Sequence, residues 1–348
     1  MKVAQYEHKS LPIAYISRAR STTTKMGIFD YDFLYSQLFI RPAYPTTSFT
    51  NQTIIITGSN VGLGLEAARH FTRLGAAKVI LAVRNRSAGE EARQSIERST
   101  GTTGICEVWD LDLASHESVL AFAKKVAELP RLDVFIANAS IATGTFQLAE
   151  GHERTITVNV INTILLELLV LPTLRKSARL HPGTKPRLTT VVSEVHAWAK
   201  FAERSAENVF KALDDKEQAN MPERYELSKL LQVLLLREMV AQGAGDSVII
   251  NMVNPGFCHS RLGREMGLAF ALLQMVLARS TEVGSRTLVA GAASGEESHG
   301  AYMTNGKVDN GALSTFVRSE EGKKTQMKLW AELVEILEAI EPGCTRVV

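Results

Sequence analysis

A tyrosine and a lysine four residues apart, in Tyr225-Glu226-Leu227-Ser228-Lys229, are the first pair in this chain able to handle a proton. On a helix that spacing stacks both side chains on one face, one turn apart. A phenol titrates near pKa ~10, so it needs help to exchange a proton at neutral pH. A neighbouring ammonium favours the phenolate, and a tenfold change in a proton's affinity corresponds to ~1.36 kcal/mol. By itself the pattern is weak, because the chain has seven tyrosines and ordinary lysine content. Context comes from Ser193, in Thr189-Thr190-Val191-Val192-Ser193-Glu194-Val195-His196. A hydroxyl at the carboxyl end of a central strand points into the crevice where open α/β sheets bind ligands, where it can hold a carbonyl or alcohol oxygen beside Tyr225. The plain alternative is a capping or turn serine.

A second stretch supplies a partner for such chemistry. Thr53-Ile54-Ile55-Ile56 is β-prone and runs into Thr57-Gly58-Ser59-Asn60-Val61-Gly62-Leu63-Gly64. Ala67, Ala68, Phe71 and Leu74 then fall at helical spacing, and Gly75 closes the segment as a C-cap. Glycines suit such a turn because backbone must approach a pyrophosphate closely, and the helix N-terminus favours phosphate. Three glycines alone also mark ordinary loops; the strand before and the helix after make the dinucleotide reading. The second strand ends in Val83-Arg84-Asn85-Arg86 with no acid. An acid there would bind the 2′-hydroxyl of NAD, whereas an arginine accommodates the 2′-phosphate of NADP, so Arg84 points to NADP(H); the plain alternative is a solvated arginine. At the end of the third strand Asp112-Leu113 places a carboxylate able to accept from the adenine amino group.

These groups must be positioned by alternating strands and helices. Strands are expected at Val79–Val83, Ile105–Leu113, Asp133–Ala139, Arg187–Ser193, Ser247–Asn254 and around Ala301–Met303. Helices are expected at Ser87–Arg98, from an N-cap at Ser115 to Leu129, about Glu150–Leu174, Pro222–Val240, Thr281–Ala293 and Glu320–Ile340. Such alternation means one α/β domain, a Rossmann-type doubly wound parallel sheet with helices on both faces. It spans residues 50–348, with a substrate lid at about 257–280 and an aromatic, proline-punctuated arm over 26–49 packed on the domain. Residues Met1–Lys25 are basic and acid-poor. They read as a disordered tail or an upstream start with Met26 as initiator, and otherwise as an organelle transit peptide.

The chain of 348 residues is 45% hydrophobic and 22% charged, the composition of a soluble globular protein. A net charge of +2 without a polybasic run argues against nucleic acid. Cys106, Cys258 and Cys344 are isolated, suggesting neither a disulfide framework nor a zinc site. Their odd number fits a reducing compartment, and the cytoplasm is the expected location, with an organelle the alternative. No apolar run reaches a membrane span: the nearest, Ile164–Leu174 and Gly267–Ala278, are short and interrupted by Glu167 and Gln274. No metal is expected, and His196 and His259 read as polar wall residues.

The motifs Thr57-Gly58-x-x-x-Gly62-x-Gly64, Asp112-Leu113, Asn138-Ala139, Asn159, Ser193, Tyr225-x-x-x-Lys229 and Asn254-Pro255-Gly256 occur in the order seen in short-chain dehydrogenases/reductases. The chain resembles that family from about Thr46 to Gly343, most closely its retinol-dehydrogenase-like branch. Phe33–Phe49 and Cys258-His259-Ser260-Arg261 look like fungal members that modify terpenoids or polyketides. The resemblance implies an NADP(H)-dependent oxidoreductase. In it Tyr225 is the general acid/base, Lys229 binds the nicotinamide ribose and lowers the tyrosine pKa, and Ser193 orients the reacting oxygen. Asn159 holds a water relay to Lys229. Gly58, Ser59, Asn60, Gly62, Leu63, Gly64, Arg84, Asp112, Leu113, Asn138, Pro255, Gly256 and Ser260 line the cofactor. A homo-oligomer, dimer or tetramer, is the common state in the family. Three departures stand out. Ser140 replaces a glycine, so it must be strained or its turn altered, Asn162 replaces another, and Ala197–Met221 is an insertion read as a pocket rim. Leu268–Leu273 is apolar, which suggests either a hydrophobic small-molecule substrate or simple packing of a lid helix. Two alternatives stay open: a non-redox isomerase or cyclase using the same tyrosine, and a non-catalytic interaction protein.

Overall fold

Thr53–Thr57 (β1) is five β-branched residues in a row, buried at every position. That pattern belongs to a central strand covered on both faces. The computed structural model describes residues 31–259 and 274–347; the readings for residues 1–25, for Ser260 and for most of the 257–280 segment lie outside them. Around β1 lie Lys78–Val83 (β2), Cys106–Asp110 (β3), Val134–Ala137 (β4), Arg187–Val191 (β5), Ile249–Asn254 (β6), Tyr302–Thr304 (β7) and Lys307–Val308 (β8). They form one sheet in the order β8-β7-β6-β5-β4-β1-β2-β3, parallel except for the last hairpin β7–β8. The order reverses between β1 and β4, and a crevice opens there at the carboxyl ends of the strands.

Tyr31–Phe39 (α1) precedes the sheet. Gly62–Arg73 (α2), Arg86–Thr100 (α3) and a helix near the end of the chain, over Thr281–Ala293, cover one face through Phe71, Ile96 and Leu288. His116–Ala127 (α4), Asn162–Leu180 (α5), Arg224–Ala241 and Glu320–Ile340 cover the other through Phe122, Leu165, Leu234 and Leu333. In chain order the remaining helices are Val209–Leu213 (α6), Arg224–Ala241 (α7), Thr281–Ala293 (α8) and Glu320–Ile340 (α9). Doubly wound, with helices on both faces, is the architecture expected.

Several boundaries differ, each for a local reason. The helix expected from Glu150 begins later and runs longer. Leu148–Ala149 and His152–Glu153 form a small hairpin turned by Glu150 and Gly151, both left-handed, with φ 53° and 87°. A helical turn at Arg154–Ile156 and a π-helical turn at Thr157–Ile161 then lead into α5. Taken together, Arg154–Leu180 is long and apolar enough to cross a membrane by length and composition, which the sequence reading missed. Its apolar window is 89% buried inside the protein, as a core helix would be. β6 starts at Ile249 because Ser247, at φ 64°, is left-handed. The β7–β8 hairpin was not expected, although Asn305-Gly306 is a strong turn signal, both residues having φ > 0.

The insertion Ala197–Met221 carries a 3₁₀ turn and α6, with Val209, Phe210 and Leu213 buried. The Glu332 carboxylate of α9 accepts from the amides of Val209 (2.7 Å) and Phe210 (3.3 Å). Fully buried Arg224, at the start of α7, donates to the Leu213 carbonyl (3.2 Å) and lies 3.6 Å from the Glu153 carboxylate. The insertion therefore fixes the end of α7 that carries Tyr225.

Candidate active site

The β1–α2 turn places Gly58 and Gly62 in left-handed backbone, φ +65° and +66°. A Cβ on Gly58 would lie 3.0 Å from Ala139, and one on Gly64 only 2.7 Å from Asn138 Nδ2 and 2.8 Å from the Gly58 carbonyl. A Cβ on Gly62 would meet nothing within 4 Å. Gly58 and Gly64 thus pack the turn against β4, while Gly62 faces open space. Beside it α2 starts from Val61, with no side-chain cap and no acid in its first turn. That is a setting for an anion. Asn60 and Leu63 flank the turn half-buried, and Ser59 is wholly buried with its hydroxyl donating to the Ile56 carbonyl (2.8 Å). Ser59 therefore holds the turn through its side chain. At the end of β4 the buried Ser140 hydroxyl has no hydrogen-bond partner, an orphan beside the same turn. These residues fit the pyrophosphate of a dinucleotide.

Thr57 builds the β4 end. Its Oγ1 accepts from the amides of Asn138 (3.0 Å) and Ala139 (2.9 Å), and Asn138 Nδ2 returns a bond to the Thr57 carbonyl (2.8 Å). Ser140 is not among the residues with positive φ, so the turn is altered and not strained. The Asn159 amide then clamps Ile141 from both sides, donating to its carbonyl and accepting from its N–H at 2.9 Å each. Asn159 lies in the π-helical turn, a feature frequent at functional sites. Its Nδ2 also donates to Ser228 Oγ (3.0 Å), which donates to the Tyr225 carbonyl (2.7 Å). Asn159 and the Tyr225 turn are thus one unit.

Tyr225 and Lys229 share a face of α7, with Lys229 Nζ 5.7 Å from the phenol ring centroid. The ammonium donates to the Val191 carbonyl (2.9 Å) and Gln232 Oε1 (2.8 Å). Burial pushes Lys229 down to about 7, against the charge of Glu167. Burial, with a smaller contribution from the Glu226 charge, pushes the half-buried Tyr225 phenol above its usual value. In this arrangement desolvation is the dominant influence on the phenol. Ser193 caps the 3₁₀ turn Glu194–Ala197, accepting weakly from the Val195 amide at 3.4 Å, and α7 packs on that turn. His196 is a structural ligand of this loop. Its Nδ1 donates to the Ser193 carbonyl (2.7 Å) and its Nε2 accepts from the Ser314 amide (3.1 Å). Burial lowers its pKa, in keeping with a neutral ring. The insertion lines a depression of about 340 Å³ that includes Leu227, two residues from Tyr225.

Arg84 is exposed at the carboxyl end of β2, beside the N-cap Asn85. Asp112 Oδ1 accepts from the Ala114 amide (2.9 Å), and the Leu113 carbonyl accepts from Asn162 Nδ2 (2.8 Å). Asn162 Oδ1 also meets His116 Nδ1 at 2.7 Å. Where the family has a glycine, this asparagine ties α5 to the loop after β3.

The loop after β6 is held by residues that sequence reasoning missed. Gly256, at φ +77°, has Gln37 and Arg279 where a Cβ would stand, at 2.6 and 2.8 Å. From α1, Gln37 Nε2 donates to the carbonyls of Phe257 (2.8 Å) and Leu277 (3.0 Å), and its Oε1 accepts from the Phe257 amide (3.1 Å). Arg279 donates to the carbonyls of Pro255 (3.2 Å), Ser36 (2.7 Å) and Ile40 (2.9 Å). The arm helix thereby ties together both ends of the segment Phe257–Leu277. Asn254 Oδ1 accepts from Gly256 N (3.0 Å) and Glu194 N (3.4 Å), linking this loop to Ser193. Burial pushes the Glu194 carboxyl up to about 7, opposed by its bond with Asn254 and the Arg279 charge.

The profile of the short chain dehydrogenase family matches residues 52–180. The chain is 48% identical over 322 residues to the short chain dehydrogenase/reductase dmxR8 of Cryptosporiopsis sp., covering 90% of this chain and 98% of that one. It is 47% identical over 322 residues to the short-chain dehydrogenase anuD of Penicillium roqueforti, covering 89% and 84%. Among solved structures, an NADPH-bound carbonyl reductase from chicken fatty liver is similar in fold, with a TM-score of 0.57 at 20% identity over 75% of this chain and 99% of that one. The protein belongs to the short-chain dehydrogenase/reductase family, an oxidoreductase family whose Rossmann fold binds a nicotinamide cofactor.

Proposed function

We propose that the protein is an NADP(H)-dependent oxidoreductase that interconverts a ketone and a secondary alcohol on a hydrophobic small molecule, a terpenoid or polyketide intermediate. The observation that carries this reading is the Asn159–Ser228–Tyr225 hydrogen-bonded unit, with Lys229 on the same helical face. It stands at the strand edge that also bears the open Gly62 turn.

In this reading Gly58, Ser59, Asn60, Gly62, Leu63 and Gly64 hold the pyrophosphate at the start of α2. Asp112, Leu113 and Asn138 line the adenine half, and Pro255, Gly256 and Ser260 the nicotinamide half. Arg84, exposed and with no acid beside it on β2, takes the 2′-phosphate through its planar fork. When bound, the nicotinamide supplies or accepts a hydride at C4. Ser193 orients the substrate oxygen, and Tyr225 gives it a proton. With its phenol pushed up by burial, Tyr225 is protonated at neutral pH and is the proton donor when the hydride goes to the substrate. Two Lys229 donors are engaged, leaving one for a ribose hydroxyl. Proton transfer by a positioned group is typically worth ~10²–10⁴-fold. In this reading the protein self-associates as a dimer or tetramer; within one chain, α9 packs on α7 and the turn Cys344–Val347 on α5. A cytoplasmic setting suits the three free cysteines, all buried.

The test is oxidation of NADPH with a panel of hydrophobic ketones, comparing wild type with Tyr225→Phe. Product formation lost at least a hundredfold in the variant supports the reading. Equal turnover by the two proteins, or tight NADPH binding with no product from any ketone, overturns it.

A further inference from the structure

One ionisable group behind the site has no place in the mechanism above. Glu167, in the middle of the apolar helix α5, is fully buried. Its Oε1 accepts from the Thr190 hydroxyl at 2.6 Å, whereas its Oε2 has no hydrogen-bond partner. An unpartnered carboxylate oxygen in the core costs stability, so its retention calls for a charge to answer. Thr190 is on β5, one residue before Val191, whose carbonyl accepts from Lys229 Nζ. Glu167 and Lys229 therefore approach adjacent residues of one strand, Glu167 meeting Thr190 from α5 and Lys229 meeting Val191 from α7.

The surroundings leave each group with the other. Among the described residues, the groups they bond to are the Thr190 hydroxyl and Val191 carbonyl from β5 and Gln232 from α7. Among the described residues Lys229 is the one charge acting on Glu167, and Glu167 the one acting on Lys229; none reaches them from α4. We propose that Glu167 is a positioning residue for Lys229, a buried countercharge that keeps the lysine an ammonium in a site that would otherwise discharge it. Burial pushes the Glu167 carboxyl up and Lys229 down, and each displacement is opposed by the partner's charge. The consequence is a lysine whose charge is set from the core between β5 and α5, by a residue that touches neither cofactor nor substrate. The inference rests on Tyr225 and Lys229 being the acid–base pair.

Two readouts test it. The first needs no ligand: urea unfolding at pH 8 of wild type, Glu167→Gln, Lys229→Met and the double variant. Coupled charges predict that the two single changes combine non-additively, by at least fivefold in the folding equilibrium constant. Additivity within twofold overturns the proposal. The second is the pH profile of NADPH-dependent reduction of phenanthrenequinone, an aromatic diketone used as a probe. Glu167→Gln keeps the acceptor for Thr190 but loses the charge, so Lys229 gives up its proton earlier. The alkaline limb is then expected to move down by about one pH unit, about tenfold in rate at a fixed pH on the limb. A limb left in place by a folded Glu167→Gln overturns the proposal. If that variant does not fold, Thr190→Val must shift the limb in the same direction, and an unmoved limb counts against the proposal. Full activity in Tyr225→Phe would instead mark failure of the functional reading, while the unfolding cycle would still judge the pair.

Discussion

Gln37→Ala isolates what the arm helix contributes to the site. The side chain is 8% exposed and makes three hydrogen bonds, to the Phe257 amide, the Phe257 carbonyl and the Leu277 carbonyl. At a net ~0.5–1.5 kcal/mol each, they contribute about 1.5–4.5 kcal/mol. The bonds hold one loop and α1, so the loss is expected in the local stability of Gly256–Phe257 more than in the melting of the sheet. If only the lower end reaches the nicotinamide side of the site, NADPH affinity falls about tenfold, since ~1.4 kcal/mol is a factor of ten. Gln37→Glu keeps the acceptor for the Phe257 amide but sets a carboxylate against two carbonyls, and should be worse than alanine at neutral pH. NADPH titration by nicotinamide fluorescence, with thermal unfolding alongside, measures both quantities. Wild-type affinity in both variants, at unchanged melting temperature, would refute the idea that the arm positions this loop.

Gly62→Ala must adopt φ +66°, at a cost of about 1 kcal/mol, and its methyl would stand in the open space of the turn. NADPH affinity should fall more than tenfold with a modest loss in urea midpoint; an unchanged Kd would show that the cofactor lies elsewhere. Arg224→Ala leaves the Glu153 carboxylate buried without its cation and the Leu213 carbonyl without its donor. Removing one partner of a buried pair costs ~3–5 kcal/mol, so the denaturation midpoint should fall sharply, and a wild-type midpoint would contradict the packing described. Glu194 holds its proton more tightly folded than unfolded, with its carboxyl pushed up to about 7. Its contribution is therefore present below pH ~4.5 and is lost as pH rises towards 7, by roughly 1–3 kcal/mol after allowance for partial exposure. Glu194→Gln should flatten stability across that window, and an unchanged slope would remove Glu194 from the account.

Local signals carried far in this chain. The run Thr53–Thr57, the cap at Ser115 and the periodicity of Thr281–Ala293 and Glu320–Ile340 each state their structure within a dozen residues. So does the glycine turn, whose three glycines do two jobs: two pack against β4 and one leaves the cleft open. Contacts between distant segments were illegible. Gln37 meets Phe257 across 220 residues, and nothing in either neighbourhood announces it. Glu167 was visible only as a break in an apolar run, because its meaning depends on Thr190 and Lys229 arriving from other elements. The hairpin before α5 was lost to a helical pattern that overran Glu150-Gly151, where positive φ stops a helix. The Tyr225–Lys229 spacing was readable, but the direction of the ammonium was not: it depends on a backbone carbonyl of β5 and on Gln232.

The central claim is an NADP(H) site built on the Gly62 turn and Arg84. Titration of wild type and Arg84→Ala with NADPH and with NADH, followed by nicotinamide fluorescence, tests it most directly. The account predicts that wild type prefers NADPH by tenfold or more and that the alanine variant loses this preference while still binding NADH. Equal affinity for the two cofactors in wild type, or a preference that survives removal of Arg84, would contradict it.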